Sequence, residues 1–144
     1  MYLLDTNVVS ATAPGRTAGR FSAWLLAHTH LVFLSVVTLA EVESGIAKAR
    51  RQRANRKARD IEAWLDGVVS LYGRHILSFD IAVARTAGEL LDLARSIGLQ
   101  VGFADIAIAA TAKRNDLVLL TRNLKHFRPL GVRAFDPLTD LPPG

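Results

Sequence analysis

A chain of 144 residues, half of them hydrophobic and 22% charged, is long enough for one domain with a buried core and too apolar to be disordered. It has no cysteine, which excludes a disulfide framework, a thiolate nucleophile and a thiolate metal site, so any metal must be held by oxygen or histidine. The net charge of +5 is local: Lys48, Arg50, Arg51, Arg53, Arg56, Lys57 and Arg59 supply seven of the 18 basic residues, and the remaining eleven against 13 acids leave −2 elsewhere. That acid-free run reads either as a solvated helical hairpin or as an electrostatic grip on phosphates, and the two are compatible.

In chain order, Tyr2-Leu3-Leu4 predicts a short buried strand that stops at Asp5-Thr6-Asn7. Such a turn either caps a helix or presents a site. A short helical piece reaches Ala13, where Pro14-Gly15 breaks it, and Arg20–His28 forms a helix with Phe21, Trp24, Leu25 and His28 on its apolar side. Leu31–Leu34 is a solid apolar run, the pattern of a strand buried on both faces, and Ser35 caps the helix from Val36 to about Arg50. Another helix spans roughly Asn55–Leu71, and Ile76-Leu77 is a minimal strand. Asp80 caps a long helix whose stripe is Val83, Ala87, Leu90, Leu91, Ala94 and Ile97, stopped by Gly98. Phe103–Arg114 is a helix of small residues, Leu117–Leu120 a buried strand closed by Thr121-Arg122-Asn123, and Val132–Phe135 a last strand. With a strand already at Tyr2 no signal peptide is expected, and Leu31–Ala40, the densest apolar stretch, is too short for a membrane span. A cytoplasmic protein without membrane contact follows as the expectation.

Strands that alternate with helices predict an α/β domain with a mostly parallel sheet and a ligand site outside the carboxyl ends of its strands. Three acids stand where apolar residues belong: Asp5, Glu41 and Asp105. Asp5 leaves the first strand, Glu41 sits in the opening turns of the helix after Ser35, and Asp105 in the first turn of its helix. A crossover helix runs antiparallel to its strands, so all three carboxylates, together with Thr121 and Asn123, come to one rim. Plainer roles exist for each: Asp105 as a helix-dipole acid, and Glu41 as the partner of Thr38 in a T-x-x-E cap. Against them, Asp105 shares its face with Ile108, Ala109 and Ala112, and Ser35 is the better cap. Crowded carboxylates need neutralising, and a hard divalent ion, Mg²⁺ or Mn²⁺, is the economical solution; such ions point to phosphate-ester chemistry.

Four stretches in order, Leu4-Asp5-Thr6-Asn7-Val8-Val9-Ser10, Ser35-x-x-Thr38-x-x-Glu41, Asp105-x-x-Ile108-Ala109-Ala110-x-Ala112 and Leu120-Thr121-Arg122-Asn123-x-x-x-Phe127, resemble the PIN domain, and within it the VapC-like ribonuclease toxins of type II toxin–antitoxin pairs. The resemblance implies a three-layer domain over residues 1–136, a five-stranded sheet flanked by helices; the tail at 137–144, with its three prolines, is expected from its own composition to be loosely held. The resemblance also implies a homodimer and an antitoxin whose C-terminal segment blocks the acidic pocket. It carries the catalytic centre to Asp5, Glu41, Asp105 and Asn123, with Asp5 and Asp105 as principal metal ligands and Glu41 binding directly or through water. Thr6, Asn7 and Thr121 orient the site. Many relatives have aspartate where this chain has Asn123, and an amide is a weaker ligand for a second ion. His126, before Phe127, is read as a surface residue. Arg50, Arg51, Arg53, Arg56, Lys57 and Arg122 are the candidate RNA contacts.

The expected activity is therefore a Mg²⁺- or Mn²⁺-dependent endoribonuclease, in which metal-activated water cleaves RNA and leaves 5′-phosphate and 3′-hydroxyl ends. Two alternatives stand beside it. One is an α/β phosphohydrolase of small phosphate esters with Asp5 as nucleophile, although Asn7 occupies the place of its usual second acid. The other is a catalytically weak PIN-like subunit that binds antitoxin or DNA.

Overall fold

A computed structural model describes residues 1–16 and 19–144. Five strands, β1 (Tyr2–Leu4), β2 (Val32–Ser35), β3 (Ile76–Leu77), β4 (Val118–Leu120) and β5 (Ala134–Phe135), form one sheet in the order β3-β2-β1-β4-β5. Every pairing is parallel, so the expected mostly parallel sheet is wholly parallel here. Strand β1 is central: β2 and β3 are laid down on one side of it and β4 and β5 on the other. Its carboxyl end is thus the point where strand order reverses, and that is where ligands bind open α/β sheets.

The helices are α1 (Thr6–Ser10), α2 (Arg20–Ala27), α3 (Val36–Arg51), α4 (Asn55–Tyr72), α5 (Ile81–Ser96), α6 (Phe103–Arg114) and α7 (Leu124–Phe127). Alternation along the strands divides the core into two layers. Leu3 and Leu119 turn to the side of α5, α6 and Phe127, and Leu4, Leu120, Val32 and Leu34 to the side of α1, α2 and Tyr72. A third cluster, with Val42, Ile46, Ala58 and Leu65, zips α3 to α4. Ile106 through Ala112 are all buried, so the middle of α6 lies inside the protein, while Phe103 at its start and Lys113 and Arg114 at its end are exposed and Asp105 stands at the boundary.

Local chemistry explains the helix starts. Asp5, Ser35 and Asp80 each accept a first-turn N–H, from Thr6, Val37 and Val83 respectively. Five expectations need correction. Ile97 is 49% exposed because α5 ends at Ser96 and Gly98, at φ +68, turns the chain away. Leu117 precedes β4, and β5 is shortened to two residues at the sheet edge. His28 ends α2 and stacks on Trp24 at 4.6 Å. The segment after Asp136, expected to be loosely held, is docked: Pro137 and Pro142 are buried and the Tyr2 hydroxyl donates to the Pro143 carbonyl at 2.9 Å. Prolines suit such a segment, since they lose little entropy when an extended chain lies on a surface. Among the described residues no helix is long and apolar enough to cross a membrane.

Candidate active site

Asp5 is 3% exposed at the carboxyl end of β1, and the fold holds both its oxygens. The Thr6 N–H donates to Oδ1 at 2.8 Å and the Thr121 hydroxyl to Oδ2 at 2.7 Å. Capping α1 and furnishing a site are therefore the same act. Burial pushes this carboxyl up to about 6 from 3.8, the Thr121 and Thr6 bonds oppose the rise, and Asp105 and Glu41 add to it. Geometry ties Glu41 to the same corner, because Thr6 gives its N–H to Asp5 and its hydroxyl to Glu41.

Glu41 is not a cap, since Ser35 already serves that role. It lies one turn beyond Thr38 on α3, exposed, and accepts a 2.6 Å bond from the Thr6 hydroxyl. Thr38, fully buried, lies 3.2 Å from the same Thr6 oxygen. Thr6 has one hydroxyl proton, which the shorter contact assigns to Glu41, so Thr38 donates to Thr6 in turn. The result is a hydroxyl chain, Thr38 to Thr6 to Glu41, that holds an exposed carboxylate in one direction.

Asp105 meets His126. The Nδ1 of His126 lies 3.3 Å from Asp105 Oδ2, within reach of an ion pair, yet not along the ring N–H direction, and this buried nitrogen has no hydrogen-bond partner among the described residues. His126, read from the sequence as a surface residue, is partly exposed and lies against Asp105. The signal was missing from the sequence because the contact joins α6 to α7. Asn123 enters through its backbone, whose N–H donates to Thr121 Oγ1 at 3.0 Å, and Asn7 Oδ1 accepts from the Arg122 N–H at 3.4 Å. Both bonds fasten the segment leaving β4 to the segment leaving β1.

Among the described residues no three His, Asp or Glu side chains stand at the spacing of a ready-made metal cage. A hard ion that keeps most of its water needs only one or two carboxylates, and Asp5 and Asp105 are the acids that would supply them.

The basic run divides once it is folded. Arg50 is paired with Glu62 at 2.6 Å. Lys48 and Lys57, joined by Arg16 from the turn after α1, line a groove of about 300 Å³ whose other end is Thr6 and Glu41. Arg16 and Lys57 also line an adjoining trough of about 590 Å³ with Arg53 and Arg56. Arg51 and Arg122 are exposed outside both. Arg16 lies outside the run in sequence and only the fold brings it there. Asp116, at the far rim, is occupied by Arg133 at 2.6 Å.

Known proteins resemble the chain over nearly its whole length. The family model for the PIN domain matches residues 2–130. Toxin FitB of Neisseria gonorrhoeae is 34% identical over 97% of this chain and 100% of its own, and the crystal structure of FitAcB from that organism superposes with a TM-score of 0.81, covering 95% and 98% of the two chains. VapC ribonuclease Y4jK of Sinorhizobium fredii is 31% identical over 95% of this chain and 97% of its own. The crystal structure of DNA-bound VapBC from Salmonella typhimurium is 26% identical with a TM-score of 0.80, over 94% and 96%. A central parallel strand ending in a buried aspartate, with a match that spans nearly the whole chain, leads to one conclusion: the chain belongs to the PIN domain family.

Proposed function

We propose that this protein is a divalent-metal-dependent endoribonuclease and the toxin of a toxin–antitoxin pair. The observation that carries the reading is the corner at the carboxyl end of β1, where Thr6 bonds to both the buried Asp5 and Glu41 and from which a basic groove leads away. The names of the relatives, a toxin and a VapC ribonuclease, support the same reading.

Asp5 and Asp105 would hold a Mg²⁺ or Mn²⁺ ion, and Glu41 would reach it directly or through water. When bound, such an ion lowers the pKa of water and offsets charge growing on the scissile phosphate. The chain's own residues do the rest. Thr121 and the Thr6 N–H keep the Asp5 carboxylate aimed, and the Thr38–Thr6 chain holds Glu41 in one direction. Lys48, Lys57 and Arg16 hold the flanking phosphates of the RNA along the groove. An apolar groove of about 400 Å³ between α2 and α4, with Leu26 and Leu71 exposed beside it, is a seat for the antitoxin, and the exposed Ile81 and Phe103 offer apolar surface for a homodimer. A phosphohydrolase with Asp5 as nucleophile fits poorly, because both oxygens of that buried carboxylate are already hydrogen-bonded.

Wild-type protein incubated with total RNA and Mn²⁺ should give cuts with 5′-phosphate ends that a chelator abolishes. Inertness on RNA together with turnover of a small phosphate ester would sink the proposal, and inertness on both would favour the binding subunit.

The groove makes its own prediction. Reversing Lys48 and Lys57 to glutamate should weaken RNA binding by roughly tenfold or more at low salt and flatten its salt dependence by about two phosphate contacts. Reversing Arg50, already paired with Glu62, should do much less. Equal losses at the three positions, measured by fluorescence anisotropy across a salt series, would return the basic run to a general solvated face.

A further inference from the structure

The basic groove is built on two helix faces, and one of its lining residues has no reason in the fold. On α3 the residues Glu41, Gly45, Lys48 and Gln52 recur every three or four positions, and on α4 Lys57, Ile61 and Trp64 do the same. Only residues 52–54 join the two helices, so they run antiparallel and their lining faces meet across the groove. Gly45 is the exception among these residues. A glycine inside a helix weakens it relative to alanine, and a fold keeps one where φ is positive or a neighbour stands too close for a side chain. Neither holds here: Gly45 has no positive φ, and a Cβ built on it would meet nothing within 4 Å. What uses the open space is an occupant of the groove.

Trp64 stands on the opposite face. Its indole packs against two apolar clusters, so the ring is held before any ligand arrives, and the part left exposed lines the groove. At about 300 Å³ the groove has the room of a small-ligand pocket and cannot take a duplex. Its lining joins the cations Arg16, Lys48 and Lys57 to an aromatic face and the amide of Gln52. Those are the parts that take up an unpaired nucleotide: charge for the phosphates, a flat surface for the base and a polar group for its edge. Resting on the reading of this protein as a ribonuclease, we propose that the groove seats one unpaired RNA base beside the cleaved bond, with Trp64 as its stacking surface and Gly45 as the clearance that admits it. Gly45 lies four residues beyond Glu41, about 6 Å along the helix axis, which keeps the seated base close to the site. The consequence is a preference for single-stranded RNA over duplex. A side chain at position 45 strengthens the helix and weakens the hold on RNA.

Full-length wild type, Gly45→Ala, Gly45→Leu, Trp64→Leu and Gly88→Ala should be titrated in chelator with labelled oligoadenylate, oligouridylate and the duplex of the two. Each should also be incubated with total RNA and Mn²⁺. Wild type is expected to favour the single strands by roughly tenfold or more, and their binding to quench tryptophan emission. The quench reports Trp64, because Trp24, the other tryptophan, is buried and stacked between Phe21 and His28. Trp64→Leu keeps an apolar side chain in place, and should lose the quench and roughly fivefold to a hundredfold in affinity for single strands. Gly45→Leu should lose roughly tenfold or more and Gly45→Ala roughly threefold, while Gly45→Ala unfolds at higher urea than wild type. Gly88→Ala, exposed on α5 where an added Cβ also meets nothing, should gain the same stability with RNA binding unchanged. If Trp64→Leu folds poorly, the two Gly45 variants decide. Equal wild-type affinity for single strands and duplex, no binding of any probe, or wild-type binding of single strands by the Gly45 and Trp64 variants overturns the base seat. Chelator-sensitive cutting of total RNA would then still support the ribonuclease. Single-strand binding with the expected losses but no cutting keeps the seat and overturns the ribonuclease reading.

Discussion

Replacing Asp5 with asparagine should lower RNA cleavage by roughly a thousandfold or more, about 4 kcal/mol of transition-state stabilisation, while leaving the fold intact. The amide keeps the size of the carboxylate and can still accept from the Thr6 N–H, so what is lost is charge at the centre of the site. The same substitution should stabilise the metal-free protein near neutral pH. Asp5 releases its proton at about 6 in the folded chain, against 3.8 for an ordinary aspartate. Between those values the folded state holds a proton that the unfolded state has already lost, so stability falls as pH rises. The favourable contribution is complete below the unfolded value, and it declines by up to about 1.4 kcal/mol per pH unit, roughly 3 kcal/mol in all, until the pH has passed the folded one. Urea denaturation in chelator from pH 4 to 7 should therefore show the variant pulling ahead of the wild type as pH increases. A constant difference across that range would mean that Asp5 is not held in a costly charged state. Divalent metal should shrink the gap, because an ion stabilises the charged carboxylate.

Phe127→Ala is expected to cost about 3–5 kcal/mol, a large share of the roughly 5–15 kcal/mol that stabilises a domain. The ring is fully buried in the same cluster as Leu130, Val132 and α6, and those neighbours belong to packed elements that cannot collapse into the void. The substitution also unseats α7, which carries His126 to Asp105. Chemical denaturation gives the energy, and a loss below about 1 kcal/mol would show that α7 is not anchored as described. Cleavage activity should fall even at temperatures where the variant remains folded, because Thr121, Asn123 and His126 lie on one short segment that Phe127 pins.

Much of this molecule was legible in its sequence because the relevant signals are local. Solid apolar runs at Leu3-Leu4, Val32–Leu34 and Leu119-Leu120 can only be strands buried on both faces, and Ser35 and Asp80 cap their helices by contacts within three residues. Three acids in apolar contexts, together with the antiparallel rule for crossover helices, are what make Asp5, Glu41 and Asp105 candidates for one rim. Other features depend on distance in space. The hydroxyl of Thr6 reaches Glu41 across 35 positions, and that of Thr121 reaches Asp5 across 116. The sequence marked these residues as polar ends of strands but not which oxygen each would meet. Arg16 and Lys48 point into the same groove although no charge pattern links them, and Arg50 is withdrawn from the basic run by Glu62. The docked tail and the His126–Asp105 contact were likewise decided only when separate elements packed. Helix, strand and cap follow from forces that act over a few residues, and so composition and periodicity determined them. The partners of each site group follow from which buried polar atoms the closed core leaves facing one another, and only the tertiary structure decides that.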